Sequence, residues 1–205
     1  MTPRVKVCGV TRVEDAVLAA ELGAFAVGFV FWPRSPRFIT PDKAREIAAA
    51  LPTSVMAVGV FVDQDAVSVR RTCAQVGLGA AQLHGSESIE FAAGLMTPVI
   101  KAVPVDEGFD PQELDRIPTA ITVLLDAYDP QRRGGTGKTI DWEIARRASE
   151  RRPILLAGGL TPVNATAAVA AVRPYAIDVS SGVESAPGVK DPDKLRALFE
   201  ALADA

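Results

Sequence analysis

Cys8 and Asp126 each close a short β-branched run, Arg4-Val5-Lys6-Val7-Cys8 and Ile121-Thr122-Val123-Leu124-Leu125-Asp126. A thiol can take a proton as its thiolate, and a carboxyl can give one. The two make an acid–base pair if the fold brings their strand ends to one cavity. Lys6 stands two residues before Cys8 and therefore shares its strand face. An ammonium there favours the thiolate. Gly9, the next residue, allows close backbone approach. Cys73 lacks this setting: it sits mid-helix beside Arg71 and Thr72 and reads as packing. Asp126 could be a turn residue, but a strand-end carboxyl beneath a glycine-rich loop is better placed than most for acid–base work. Partial burial, or a second carboxylate such as Asp178 at another strand end, would raise its pKa.

The elements that must position this pair recur along the chain. Short apolar runs appear at Arg4–Cys8, Ala26–Phe31, Val55–Val62, Ala80–Leu83, Val99–Val103, Ile121–Leu125, Ile154–Ala157 and Ala176–Val179. Most carry apolar residues at successive positions, the pattern of parallel strands covered on both faces. Helical patterns follow most of them. Thr11 to Glu14 and Asp110 to Glu113 read as capping boxes. Thr40-Pro41, Thr161-Pro162 and Asp191-Pro192 each put a capping oxygen before a helix-starting proline. Gly23 and Gly77 read as helix stops. The segment Asp106 to Pro118 leaves room for only a short fifth helix. Eight strand–helix units predict a (β/α)8 TIM barrel, a single α/β domain over residues 1–205. In that fold the catalytic groups gather where the strands end. An open doubly wound sheet is the rival, and no G-x-G-x-x-G after the first strand supports it.

Other strand ends carry candidate binding groups. Phe31-Trp32-Pro33-Arg34-Ser35-Pro36-Arg37-Phe38 is a stiff loop, and the planar fork of Arg37 suits a carboxylate. His84, the only histidine, follows the fourth strand in Gln82-Leu83-His84-Gly85. Gly137-Lys138-Thr139 resembles the end of a P-loop, but Arg132 stands where its first glycine belongs. The stretch from Asp126 through Tyr128, Asp129 and Gly134–Thr139 reads instead as a mobile loop over the barrel mouth. Gly158 and Gly159 follow strand seven; Ser180, Ser181 and Gly182 follow strand eight. Those are the positions at which such barrels bind phosphate.

The 205 residues carry a net charge of -3 and are 48% apolar. That balance offers no footprint for nucleic acid. The longest apolar stretch, Val55–Val62, is too short to span a membrane. The N-terminus enters a strand without a signal-peptide core, and two cysteines make no disulfide framework. A reducing cytoplasm is the expected home.

Taken in order, six segments are similar to the phosphoribosylanthranilate isomerase family of tryptophan biosynthesis. They are Lys6-Val7-Cys8-Gly9-Val10-Thr11, Gly59-Val60-Phe61-Val62, Gln82-Leu83-His84-Gly85, Gly134 through Trp142, Leu156 through Pro162, and Asp178 through Glu184 with Pro187-Gly188-Val189-Lys190-Asp191. Val10 and Ile140 stand where members often have Ile and Phe. The resemblance implies a metal-free, cofactor-free Amadori rearrangement of N-(5-phosphoribosyl)anthranilate. It implies Asp126 as general acid on the ribose ring oxygen and Cys8 as general base on C2. It implies Arg37 against the anthranilate carboxylate, with His84 and Asp178 as further substrate contacts. Gly158, Gly159, Ser180, Ser181 and Gly182 would hold the phosphate. The family includes monomers and homodimers. Metal-dependent sugar-phosphate epimerases, a histidine-pathway aldose isomerase with paired Asp residues, and a non-catalytic metabolite-binding barrel are the rival readings.

Overall fold

Strands covered on both faces are built from unbroken apolar runs. The computed structural model describes residues 3–106, 108–127 and 140–203, and among them such runs form a closed barrel of eight parallel strands. They are β1 (Arg4–Cys8), β2 (Ala26–Val30), β3 (Met56–Phe61), β4 (Ala80–Leu83), β5 (Val99–Val105), β6 (Thr122–Ala127), β7 (Ile154–Leu156) and β8 (Ala176–Val179). Neighbours pair in chain order, and β8 closes on β1. This is the expected TIM barrel, with each strand limit within two residues of its expected place.

The helices α1 (Val13–Glu21), α2 (Pro41–Ala49), α3 (Ala66–Val76), α4 (Ile89–Ala93), α5 (Trp142–Arg151), α6 (Ala165–Val172) and α7 (Pro192–Ala203) cover the strands. A 3₁₀ helix, Pro111–Arg116, stands where the abbreviated fifth helix was expected, and α4 is also short. The Thr40 side chain caps α2, accepting from the Lys43 N–H, and Asp191 accepts from Asp193 and Lys194 at the start of α7. Gly77 ends α3 in the left-handed region at φ 77°. Two expected caps do not form. Arg12 occupies the α1 cap, and the Thr11 hydroxyl donates instead to the Gly188 carbonyl at 2.5 Å. Thr161 does not start α6; a turn intervenes, and the Asn164 side chain accepts from the Thr161 N–H at 2.8 Å.

The outer strand faces pack on the helices through residues such as Val7, Phe29, Leu83 and Leu156. Inside the barrel, Ala26, Val58, Ala80, Ile100, Leu124, Leu155 and Ala176 join one apolar cluster. Toward the strand C-termini the interior turns polar. There Lys6, Gln82, Asp126 and Asp178 are all buried.

One element was not foreseen. After a 3₁₀ turn at Ser181–Val183, β9 (Glu184–Ala186) and β10 (Val189–Lys190) form a small antiparallel hairpin with Lys190 opposite Glu184. The Lys190 backbone N–H donates to Asp15 of α1 at 2.9 Å. Its buried ammonium donates to the carbonyls of Cys8 and Ser180, at 2.6 and 3.2 Å. The hairpin thus bolts the seam between β1 and β8. The expected mouth loop, Tyr128 through Thr139, lies outside the described residues. No helix among the described residues is long and apolar enough to cross a membrane.

Candidate active site

All ten residues singled out as site candidates line one cavity at the C-terminal mouth of the barrel. On the β1 side, Cys8 ends its strand beside Gly28 of β2. A methyl group on Gly28 would lie 2.8 Å from the Cys8 sulfur and 3.3 Å from Lys6 Nζ, so only glycine leaves room for both. Lys6 is fully buried and donates to Asp178 Oδ1 at 2.8 Å. Burial works against its ammonium, but Asp178 and Cys8 outweigh that and hold its pKa up. One ammonium thus serves two acids. Burial pushes the Cys8 thiol up; Lys6 pulls it down, Asp178 pushes it up again, and the thiol form wins. Asp178 is pushed up as well, by burial first, against Lys6 and with help from the charge of Asp126.

Across the mouth, Asp126 is also buried. Its Oδ1 accepts from the Ala127 N–H at 2.9 Å, and its Oδ2 lies 3.1 Å from His84 Nε2. His84 Nδ1 lies in turn 3.0 Å from the amide nitrogen of Gln82. The three side chains form one line from β4 to β6.

The loops after β7 and β8 close the third side. Gly158 and Gly159 have φ values of 86° and 60°, and Ser180, Ser181 and Gly182 face them across the cavity rim. A methyl on Gly182 would collide with the Leu160 carbonyl, so glycine lets the two loops touch. Arg37 reaches the cavity from the loop after β2. Its fork is engaged by Glu184: Nε donates at 2.9 Å and Nη2 at 2.7 Å. Glu184 also accepts from Lys190 at 2.8 Å. Val30, Val60 and Trp32 pack with Cys8 into an apolar wall on the same side.

A family model described as N-(5'phosphoribosyl)anthranilate (PRA) isomerase matches residues 5–201. The chain belongs to this family. The isomerase of Geobacter metallireducens is 50% identical over 198 residues, covering 96% of each protein. The crystal structure of the phosphoribosyl anthranilate isomerase of Thermus thermophilus superposes with a TM-score of 0.90 at 46% identity, over 98% of each chain. The crystal structure of a phosphoribosyl anthranilate isomerase in complex with reduced 1-(o-carboxyphenylamino)-1-deoxyribulose 5-phosphate gives a TM-score of 0.86 at 39% identity, over 99% of this chain and 100% of that one. The chain is accordingly an isomerase.

In this isomerase, several residues of the mouth went unread in the sequence. Gly28 sits inside a plain strand, and nothing local marks the side chains it makes room for. Glu184 and Lys190 stand in family-like segments, yet besides pairing with each other they engage Arg37 and Cys8, far away in the chain. Gln82 did carry a signal. It is a polar residue on the inner face of an apolar strand, the same sign that drew attention to Lys6.

Proposed function

We propose that this isomerase converts N-(5-phosphoribosyl)anthranilate to 1-(2-carboxyphenylamino)-1-deoxyribulose 5-phosphate in tryptophan biosynthesis, with Asp126 as general acid and Cys8 as general base. The observation that carries the reading is the pairing itself. A carboxyl on β6 and a thiol on β1 line one cavity whose third side is the glycine–serine rim. The phosphate binds at Gly158, Gly159, Ser180, Ser181 and Gly182. The aromatic ring lies along Val30, Val60 and Trp32, with its carboxylate toward Arg37. That leaves the sugar between acid and base.

Asp126 protonates the ring oxygen, the C1–O bond breaks, and an iminium forms. The Cys8 thiolate then takes the proton from C2, giving an enolamine that tautomerises to the ketone. Burial pushes the Cys8 thiol up, so its ionisation needs a cation. Lys6 supplies one from below and the iminium adds a second as the ring opens, and the thiol proton passes to solvent at the mouth before the thiolate takes the C2 proton. The order of steps therefore suits the electrostatics: the acid acts first and creates the charge that readies the base. Asp178 keeps Lys6 in place and His84 orients Asp126. Each turnover leaves a thiol and a carboxylate, which exchange with solvent at the mouth.

We assign the enzyme to the cytoplasm, where the free thiols of Cys8 and Cys73 stay reduced. The decisive experiment is turnover of phosphoribosylanthranilate by the purified chain, followed by loss of anthranilate-type fluorescence. Turnover is expected. No change in fluorescence, with turnover of a histidine-pathway aminoaldose instead, would overturn the assignment.

A further inference from the structure

Gln82 is 1% exposed and lines the mouth cavity from β4. Its amide nitrogen lies 3.0 Å from His84 Nδ1. An amide N–H donates, so Nδ1 accepts and the ring proton sits on Nε2. That proton then points at Asp126 Oδ2, 3.1 Å away. The other end of the amide is different. Gln82 Oε1 is buried and has no hydrogen-bond partner among the described residues. Its neighbours in register are Val60 on β3 and Ile100 on β5, whose side chains have no donor to offer. Buried side-chain acceptors are rarely left empty in native proteins, and each asks for a reason.

We infer that Gln82 has two jobs: its Oε1 accepts a hydrogen bond from a hydroxyl of the bound sugar, and its Nε2 sets the His84 tautomer that faces Asp126. The sugar is the part of the substrate that reaches this level. The phosphate is taken by the rim of the β7 and β8 loops, and the aryl group by the wall beside Cys8. The identity of the donor rests on the reaction proposed above; the orphan acceptor and the tautomer do not. Gln82 is therefore a binding residue through oxygen and a positioning residue through nitrogen.

His84 is the chain's single histidine, so its ring nitrogens can be observed without ambiguity in untagged protein labelled with ¹⁵N-histidine. Nitrogen NMR of the free wild-type chain is expected to show the proton on Nε2. Calorimetry with reduced 1-(o-carboxyphenylamino)-1-deoxyribulose 5-phosphate reads the oxygen's job without needing turnover. Gln82→Met removes both atoms; affinity should fall about tenfold or more, and the single tautomer should be lost. Gln82→Glu keeps an acceptor and removes the donor. It should bind within about threefold of wild type while the ring proton moves to Nδ1. A wild-type proton on Nδ1 would overturn the tautomer assignment. Unchanged affinity in folded Gln82→Met would overturn the sugar contact. If Gln82→Met does not fold, Gln82→Glu decides alone, and a tenfold loss of affinity there overturns the contact. Failure of the reaction itself appears separately, as absence of turnover by wild type.

Discussion

On the β1–β8 side of the mouth, Cys8 stands among buried ions. Lys6 pairs with Asp178 below it, and Lys190 and Glu184 tie its carbonyl to Arg37. On the β4–β6 side, Asp126 meets an imidazole backed by an amide, with no lysine or arginine in the line. The difference matches the two tasks of the proposed reaction. A thiol that is to act as a base needs positive charge nearby to offset its burial. A carboxyl that is to give up a proton is held in place here by an imidazole and an amide rather than by an ammonium. The site is thus two half-sites of different electrostatic character facing one cavity.

The hardest test removes the proposed acid and base. Cys8→Ala and Asp126→Asn should each lower kcat by about 10²–10⁴-fold with far smaller changes in KM. Near-normal turnover in steady-state assays of either variant would dissolve the contrast. Lys6→Met comes next. Removing one partner of a buried pair costs about 3–5 kcal/mol, measurable by urea unfolding. Alkylation of Cys8 by iodoacetamide should also slow, since the thiol loses its nearest cation. Adding Asp178→Asn to Lys6→Met should restore much of the stability but only part of the thiol reactivity, since it removes the Asp178 charge that pushes the thiol up without replacing the lost cation. Full recovery of both would mean that Lys6 serves packing alone.

Glu184→Gln probes the same side through pH. Burial alone would raise the Glu184 pKa, but Arg37 and Lys190 more than reverse it, and the net direction is down. A depressed folded pKa stabilises the protein above the unfolded value, about 4.3, and that stability is lost as pH falls through the folded value. Glu184→Gln should cost about 3 kcal/mol at neutral pH. The gap from wild type should narrow as pH drops below about 4.3. A gap that stays constant down to strong acid would show that the pair carries no ionic weight. The smallest effect is on binding. Arg37→Ala should raise KM roughly tenfold or more while kcat changes less. An unchanged KM would remove the carboxylate contact from the scheme.

Much of this was readable in the chain. The eight strands announced themselves because strands covered on both faces leave unbroken apolar runs. Thr40 and Asp191 behaved as caps because their partners lie within three residues. Thr11 did not, because its hydroxyl bonds to Gly188, on a hairpin 177 positions away. The hairpin itself was invisible: Glu-Ser-Ala-Pro-Gly-Val-Lys shows a turn and nothing more. Its shape depends on where Lys190 finds its acceptors, at Cys8 and Ser180. Candidate site residues at strand ends were legible, since topology alone places them. The groups that tune them were not, since burial and pairing arise only when the barrel closes. Lys6 was the exception, betrayed by a charge inside an apolar run; Gln82 gave the same sign less loudly.

The bolt at the seam has a consequence for how the molecule comes into being. Cys8 is made well before groups that surround it at positions 178 to 190; Lys190 follows it by 182 positions. Until those later residues are made, the thiol lacks that side of its pocket. Domains of this kind settle when their most distant pairings form, and those are slow to be made. The Cys8 sulfur is therefore most open to oxidants until β8 and the β9–β10 hairpin have been made and have closed over it.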